Sequence, residues 1–237
     1  MNKSILAMVS LVGLVAVSGA AQAVPTLSFR AFEDNVLQGA LSASSTSGSL
    51  VVNGSTSRFS VVSAFASGIG AVAAPALVAQ TTEISSNTGF GNVHTIRVEF
   101  TQTDVPSLSA GGLFASLAST LTANLLINGS AITSVTISNY ASANNTAFGQ
   151  GTLLATQTFT TPGANASPVI VANLALPNTL FSETVVISAV FTAGGAALNA
   201  SSQIVAVPEP ASLGLFGGAL LGLGMLRRSR RQRRNLA

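Results

Sequence analysis

The chain has 237 residues, of which 48% are apolar and only 7% charged, against about 25% charged in an ordinary soluble domain. It contains no Cys, no Trp, one His and one Tyr, which excludes a disulfide scaffold, a thiolate zinc site and a cysteine nucleophile. The formal charge of +3 belongs to the ends: the stretch 24–207 holds Arg30, Arg58 and Arg97 against Glu33, Asp34, Glu83, Glu99, Asp104 and Glu183, three positive against six negative. That body has no basic patch to neutralise phosphates, so nucleic acid is excluded as a partner.

The N-terminus reads as a secretory signal peptide over 1–23. Lys3 gives the positive start, and Ile5 to Val17 is apolar or small apart from Ser10 and Gly13. Ala21-Gln22-Ala23 then offers the small-x-small pattern that signal peptidase needs, which places the mature start at Val24. A permanent anchor would need roughly 20 apolar residues, more than this run provides.

The expected body covers 24–198. Ser and Thr supply 48 of the 184 residues in 24–207 and take the surface places that charges usually hold. Apolar residues recur at period two. Phe59, Val61, Ser63 and Phe65 share one face; Ile96, Val98 and Phe100 share another, with Arg97 and Glu99 opposite. Val135 and Ile137 repeat the pattern, as do Val185, Ile187, Ala189 and Phe191. Such alternation predicts strands with one buried face. Turn signals fall at Asn53-Gly54, at Asn128-Gly129 and at Thr161-Pro162-Gly163; the second predicts a hairpin between Leu125–Ile127 and Ile132–Ile137. About nine to eleven strands result, the pattern of an all-β antiparallel β-sandwich or jelly roll, flanked by an N-terminal signal helix and a C-terminal membrane helix. Within Ser109 to Leu121, the four-residue spacing of Leu113, Leu117 and Leu121 allows a short helix. Ala66 to Ala79 is read as loop plus strand. Residues 199–207 are expected to form an extended linker.

Catalytic inventory in the body is thin. His94 is the only imidazole, with the strand parity of Ile96, and reads as a half-buried histidine. No G-x-S-x-G turn occurs. Glu33-Asp34 and Glu99/Asp104 are the carboxylate pairs a glycosidase would draw on, yet they read first as surface charge. Calcium through Glu33, Asp34 and Asn35 lacks the D-x-D-x-D run of a loop site. We therefore expect no catalytic, cofactor or metal residues. Asn-x-Ser/Thr triplets at Asn53, Asn128, Asn144, Asn165 and Asn199 mark exposed turns, and the Ser42–Ser49 segment is a candidate for O-linked sugar.

The tail spans 208–234. Pro208-Glu209-Pro210 is followed by sixteen uncharged residues, Ala211 to Leu226, and then by Arg227, Arg228, Arg230, Arg231, Arg233 and Arg234. As a helix the apolar part is about 24 Å long. Arginines can snorkel across the shortfall and hold that end in the cytoplasm. This arrangement resembles the PEP-CTERM sorting signal of Gram-negative bacteria. The resemblance implies recognition by exosortase, cutting at or near the motif, and export linked to exopolysaccharide, with the protein ending at the cell surface, in the matrix or free. It implies nothing about the body.

The leading expectation is a non-enzymatic surface or extracellular-matrix protein in biofilm or floc formation. Signal peptidase and exosortase would be its partners during export, with transient inner-membrane insertion; exopolysaccharide or further copies of the chain would follow. The alternatives are a secreted glycan-binding module, with Tyr140 as the only non-Phe aromatic, and a secreted hydrolase built on His94 or a carboxylate pair.

Overall fold

The computed structural model describes residues 25–67 and 76–207. The expected signal helix with its cleavage residues Ala21, Ala23 and Val24 lies outside the described residues, as does the tail with Pro208, Glu209, Pro210 and Arg227, Arg228, Arg230, Arg231. Among the described residues, no helix is long and apolar enough to cross a membrane.

Alternation of apolar and hydroxyl residues makes strands, and the described residues form fourteen. They are β1 (Thr26–Glu33), β2 (Val36–Leu37), β3 (Ala43–Ser45), β4 (Ser49–Ser55), β5 (Phe59–Ser67), β6 (Ala76–Ser86) and β7 (His94–Pro106). Then follow β8 (Phe114–Ile127), β9 (Ile132–Ser142), β10 (Thr152–Phe159), β11 (Gly163–Ala166), β12 (Ile170–Ala175), β13 (Leu180–Phe191) and β14 (Ala197–Ala206). All pair antiparallel in two sheets that form a sandwich. Sheet one runs β10-β9-β13-β7-β1, with β2 and β3 sharing the far edge of β1; sheet two runs β8-β14-β6-β5-β4, with β11 and β12 sharing the outer edge of β8.

The inner faces are the predicted ones. Phe59, Val61 and Phe65 on β5 are buried, as are Ile96, Val98 and Phe100 on β7 and Val185, Ile187, Ala189 and Phe191 on β13. Two ring contacts join the sheets: Phe65 to Phe100 at 5.4 Å and Phe59 to Phe191 at 5.1 Å between centroids. Phe29 extends the first pair along sheet one, 4.9 Å from Phe100.

Several expectations are corrected. The Asn128-Gly129 turn does not close a hairpin. Strand β8 lies in sheet two and β9 in sheet one, and a 3-10 turn at Gly129–Ala131, entered by Asn128 at φ 44°, carries the chain over the rim. Each flanking strand buries its own apolar face from opposite sides of the core, so they cannot be neighbours in one sheet. Thr161-Pro162-Gly163 is another such crossing, from β10 to β11. Asn53-Gly54 lies inside β4, not in a turn. A Cβ on Gly54 would collide with the buried Leu41 side chain, so glycine here makes room for packing.

Ser109–Leu121 is not helical beyond a 3-10 turn at Ser107–Ala110. A four-residue spacing is also two strand periods, and Leu117 and Leu121 use it to point inward from β8. The stretch 199–207 is no linker. Residues up to Ala206 form β14 in the middle of sheet two, paired with β6 and β8. Its Ser201-Ser202-Gln203 run looked polar, yet Ala200, Ile204 and Ala206 are buried on its inner face. The body therefore extends past 198 to Ala206. Of the five Asn-x-Ser/Thr triplets, Asn53, Asn165 and Asn199 lie in strands rather than turns.

Phe100 touches both Phe29 and Phe65 and is 1% exposed. Replacing it with alanine should cost about 3–5 kcal/mol, measured as a lowered midpoint in denaturant unfolding.

Candidate functional site

Charged side chains are scarce, so where they gather is informative. One group sits at the rim where β1 ends. Asp34 and Asn35 take positive φ, 47° and 67°, to turn the chain back into β2. Glu33, 4% exposed, receives Ser57 Oγ at 2.5 Å and Arg58 Nη1 at 2.6 Å from the β4–β5 turn. Asp34 accepts the Thr95 amide at 2.8 Å, and its Oδ2 lies 2.7 Å from His94 Nδ1. Phe90 meets the His94 ring edge-on at 5.0 Å. Burial pushes the Glu33 carboxyl up, but the hydrogen bonds from Ser57, Thr56 and Arg58 outweigh it and bring the pKa down to about 2. At Asp34 burial again opposes, and the Thr95 amide and His94 hold the carboxyl below its ordinary value.

The second group covers the outer face of sheet one. Arg30 on β1 and Glu99 on β7 are cross-strand partners. Arg30 Nε lies 2.6 Å from Glu99 Oε2, and Arg97 Nε lies 3.3 Å from Oε1. Glu99 is 1% exposed, whereas both arginines keep about a third of their surface. Arg97 stacks over Phe32 at 4.2 Å and Arg30 over Phe148 at 4.0 Å. Phe148 belongs to the loop between β9 and β10. Asn145 pins that loop by exchanging two hydrogen bonds with Asp104, at 2.7 and 2.8 Å, and Ser182 Oγ donates to the Thr146 carbonyl at 2.8 Å. Beside Phe148 runs a shallow groove lined by Ser28, Arg30, Leu37, Ala43 and Ser44. Tyr140 is half-buried on the same sheet face, but three strands from Arg30 in the sheet order.

These placements correct the reading of the carboxylates as surface charge. Glu33 and Glu99 are buried ion-pair partners, because strand parity turns them against arginines. Glu33, Asp34 and His94 come together, while Glu99 and Asp104 engage different partners. Among the described residues, no hydroxyl is bonded to His94, and Ser57 serves Glu33 instead. Among them, too, no group of three or more His, Asp or Glu side chains is placed to hold a metal. Phe32 and Phe148 are not singled out from the sequence. The signal was present for Phe32, whose parity on β1 matches Arg30 and opposes the buried Leu27, Phe29 and Ala31. Phe148 sits in an irregular loop, where parity says nothing.

Residues 206–231 match the family model of the PEP-CTERM protein-sorting motif. The motif implies an exported protein sorted and processed by exosortase, with a cell-surface or extracellular location. No curated protein matches the chain. Among solved structures, the chain is similar to the K1 cleaved adhesin domain of Lys-gingipain from Porphyromonas gingivalis W83, with 12% identity and a TM-score of 0.33 over 69% of this chain and 92% of that one.

The lowered Glu33 pKa gives stability that is present above about 4.5 and is lost as pH falls toward about 2. Glu33→Gln should cost about 1–3 kcal/mol at neutral pH. It should also flatten the acid limb of a plot of unfolding free energy against pH.

Proposed function

We propose that this chain, carrying a PEP-CTERM sorting motif, is a non-enzymatic surface or extracellular-matrix protein that associates with exopolysaccharide in biofilm or floc formation. The junction between body and tail is the observation that supports it most. Strand β14 ends at Ala206, and the Val207 amide still donates to the Ser116 carbonyl at 2.8 Å. Pro208-Glu209-Pro210 follows at once in the sequence. Cutting at the motif would therefore remove none of the described strands and leave both described sheets whole. The released body would carry little charge, so it would repel neither neutral polysaccharide nor other copies of itself. Its sheet edges hold no lysine, the usual guard against edge pairing.

A glycan-binding module is the second reading, and the Arg30–Phe148 groove favours it. Half-exposed rings and two arginine forks can stack on sugar faces and hydrogen-bond to hydroxyls or carboxylates. The hydrolase reading has less support. Among the described residues, the His94–Asp34 pair lacks a bonded nucleophile, and the Asp34 and Glu33 carboxylates already accept hydrogen bonds.

Mass spectrometry of the protein recovered outside the cell should place its C-terminus at or near Pro208–Pro210, without Arg227 to Arg234. A deletion strain should lose matrix retention or aggregation; unchanged biofilm and flocculation would remove the leading role. On a glycan array, any binding that drops at least about tenfold in Phe148→Ala, with stability unchanged, would promote the second reading, whereas loss only in Tyr140→Ala would move the site three strands away.

A further inference from the structure

The interior of the sandwich is not uniformly apolar. On sheet one, Glu183 follows the inward parity of Val185 and Ile187, and its neighbour in register is Gln102 on β7. Asn139 on β9 pairs with Val185, one diagonal step away, roughly 7–8 Å between such positions. On sheet two, Ser202 on β14 lies between Gln80 on β6 and Leu121 on β8, and Ser119 is the next inward residue of β8. One hydrogen bond spans the gap between the sheets: Ser202 Oγ donates to Asn139 Oδ1 at 2.8 Å. Ring contact between Phe65 and Phe100 fixes the alignment, since Phe65 pairs with Gln80 and Phe100 with Val185. These six polar side chains thus occupy one layer between the sheets.

All six are at least 97% buried. Among the described residues, both carboxyl oxygens of Glu183 lack a hydrogen-bond partner, as do both polar atoms of the Gln102 amide. The same holds for Asn139 Nδ2, Ser119 Oγ and Gln80 Oε1. Five side chains cannot each bear an unmet polar group in a dry core at about 1–3 kcal/mol apiece. We propose that this layer is a built-in binding site for internal water and one proton, with Glu183 held there as a neutral carboxylic acid.

The choice of a proton over a metal cation follows from the lining. Two side-chain amide nitrogens in the layer, of Gln102 and Asn139, have no acceptor among the described residues; they repel a cation but serve water and a neutral acid. A hard cation would instead need several oxygen ligands with carboxylates dominant, and the layer offers one. Among the described residues, no charge faces Glu183 to balance it. On β7, Arg97 and Glu99 lie on the outer face and Asp104 turns to Asn145, while His94 is at the far end of the strand. Tyr140 on β9 and Glu83 on β6 also have the outward parity. Strands β8 and β14 contain no ionisable residue, and neither does the stretch 68–75. Burial alone pushes the Glu183 carboxyl up to about 8.

A proton bound only by the folded state ties sheet cohesion to pH. The folded protein holds this proton and the unfolded chain releases it above about 4.5. Stability from this site is therefore full below about 4.5 and is lost as pH rises toward about 8. An exported matrix protein would be tightened in acid and loosened in alkali.

Two measurements on the full chain in mild detergent test this. Infrared difference spectra of the carboxyl-labelled protein should show a buried protonated acid at about pH 6 that disappears in Glu183→Gln; a carboxylate band there instead would overturn the proposal without needing a variant to fold. Melting temperature of the unsubstituted chain, relative to Glu183→Gln, should fall by up to about 4 °C per pH unit between about pH 5 and about pH 8. No difference between the two profiles would overturn it. So would a melting temperature raised by added calcium or sodium in the unsubstituted chain but not in Glu183→Gln, which would make the site a cation site.

Discussion

Two sheets with almost no charge must be held face to face, and a few phenylalanines do most of this. Phe65 against Phe100 and Phe59 against Phe191 bridge the gap from β5 to β7 and β13. Most other inward positions are aliphatic, alanine or hydroxyl residues, which bury less surface per side chain. The rings therefore set the spacing and the relative alignment of the sheets. Everything else, including which polar groups meet in the interior, depends on that alignment.

The few charges are placed with the same economy. Arg58 closes the rim by reaching Glu33, and Arg30 and Arg97 share one buried carboxylate at Glu99. Each arginine that stacks on phenylalanine gains contact area as well as charge pairing. Ionic side chains thus serve as internal fasteners, and hydroxyls and amides are left to meet the solvent. The sorting motif follows directly on the described body, whose strand β14 ends at Ala206.

Strand character was legible wherever period two ran for four or more positions. The inner faces of β5, β7 and β13 follow from the residues named in the sequence, and so does the sorting tail, whose order of motif, apolar run and arginines is read without any fold. Connections were much less legible. Asn128-Gly129 has hairpin chemistry, but the choice between a hairpin and a crossing depends on which sheet supplies each strand's neighbours. Asn53-Gly54 has the same chemistry and sits within a strand, because Leu41 needs the space. Carboxylates misled for a related reason. A sequence gives the parity of Glu99 but not that Arg30 stands beside it.

By itself the sequence determined three things: an export route, an all-β body and the identity of the buried faces. Each rests on local order along the chain, which needs no knowledge of partners. Tertiary structure alone decided the pairing of Glu33 with Arg58, the seating of Phe148 on Arg30, and the gathering of Glu183, Gln102 and Asn139 with Ser202 between the sheets. Those contacts join residues far apart in sequence, and only the register of neighbouring strands and the alignment of two sheets bring them within reach.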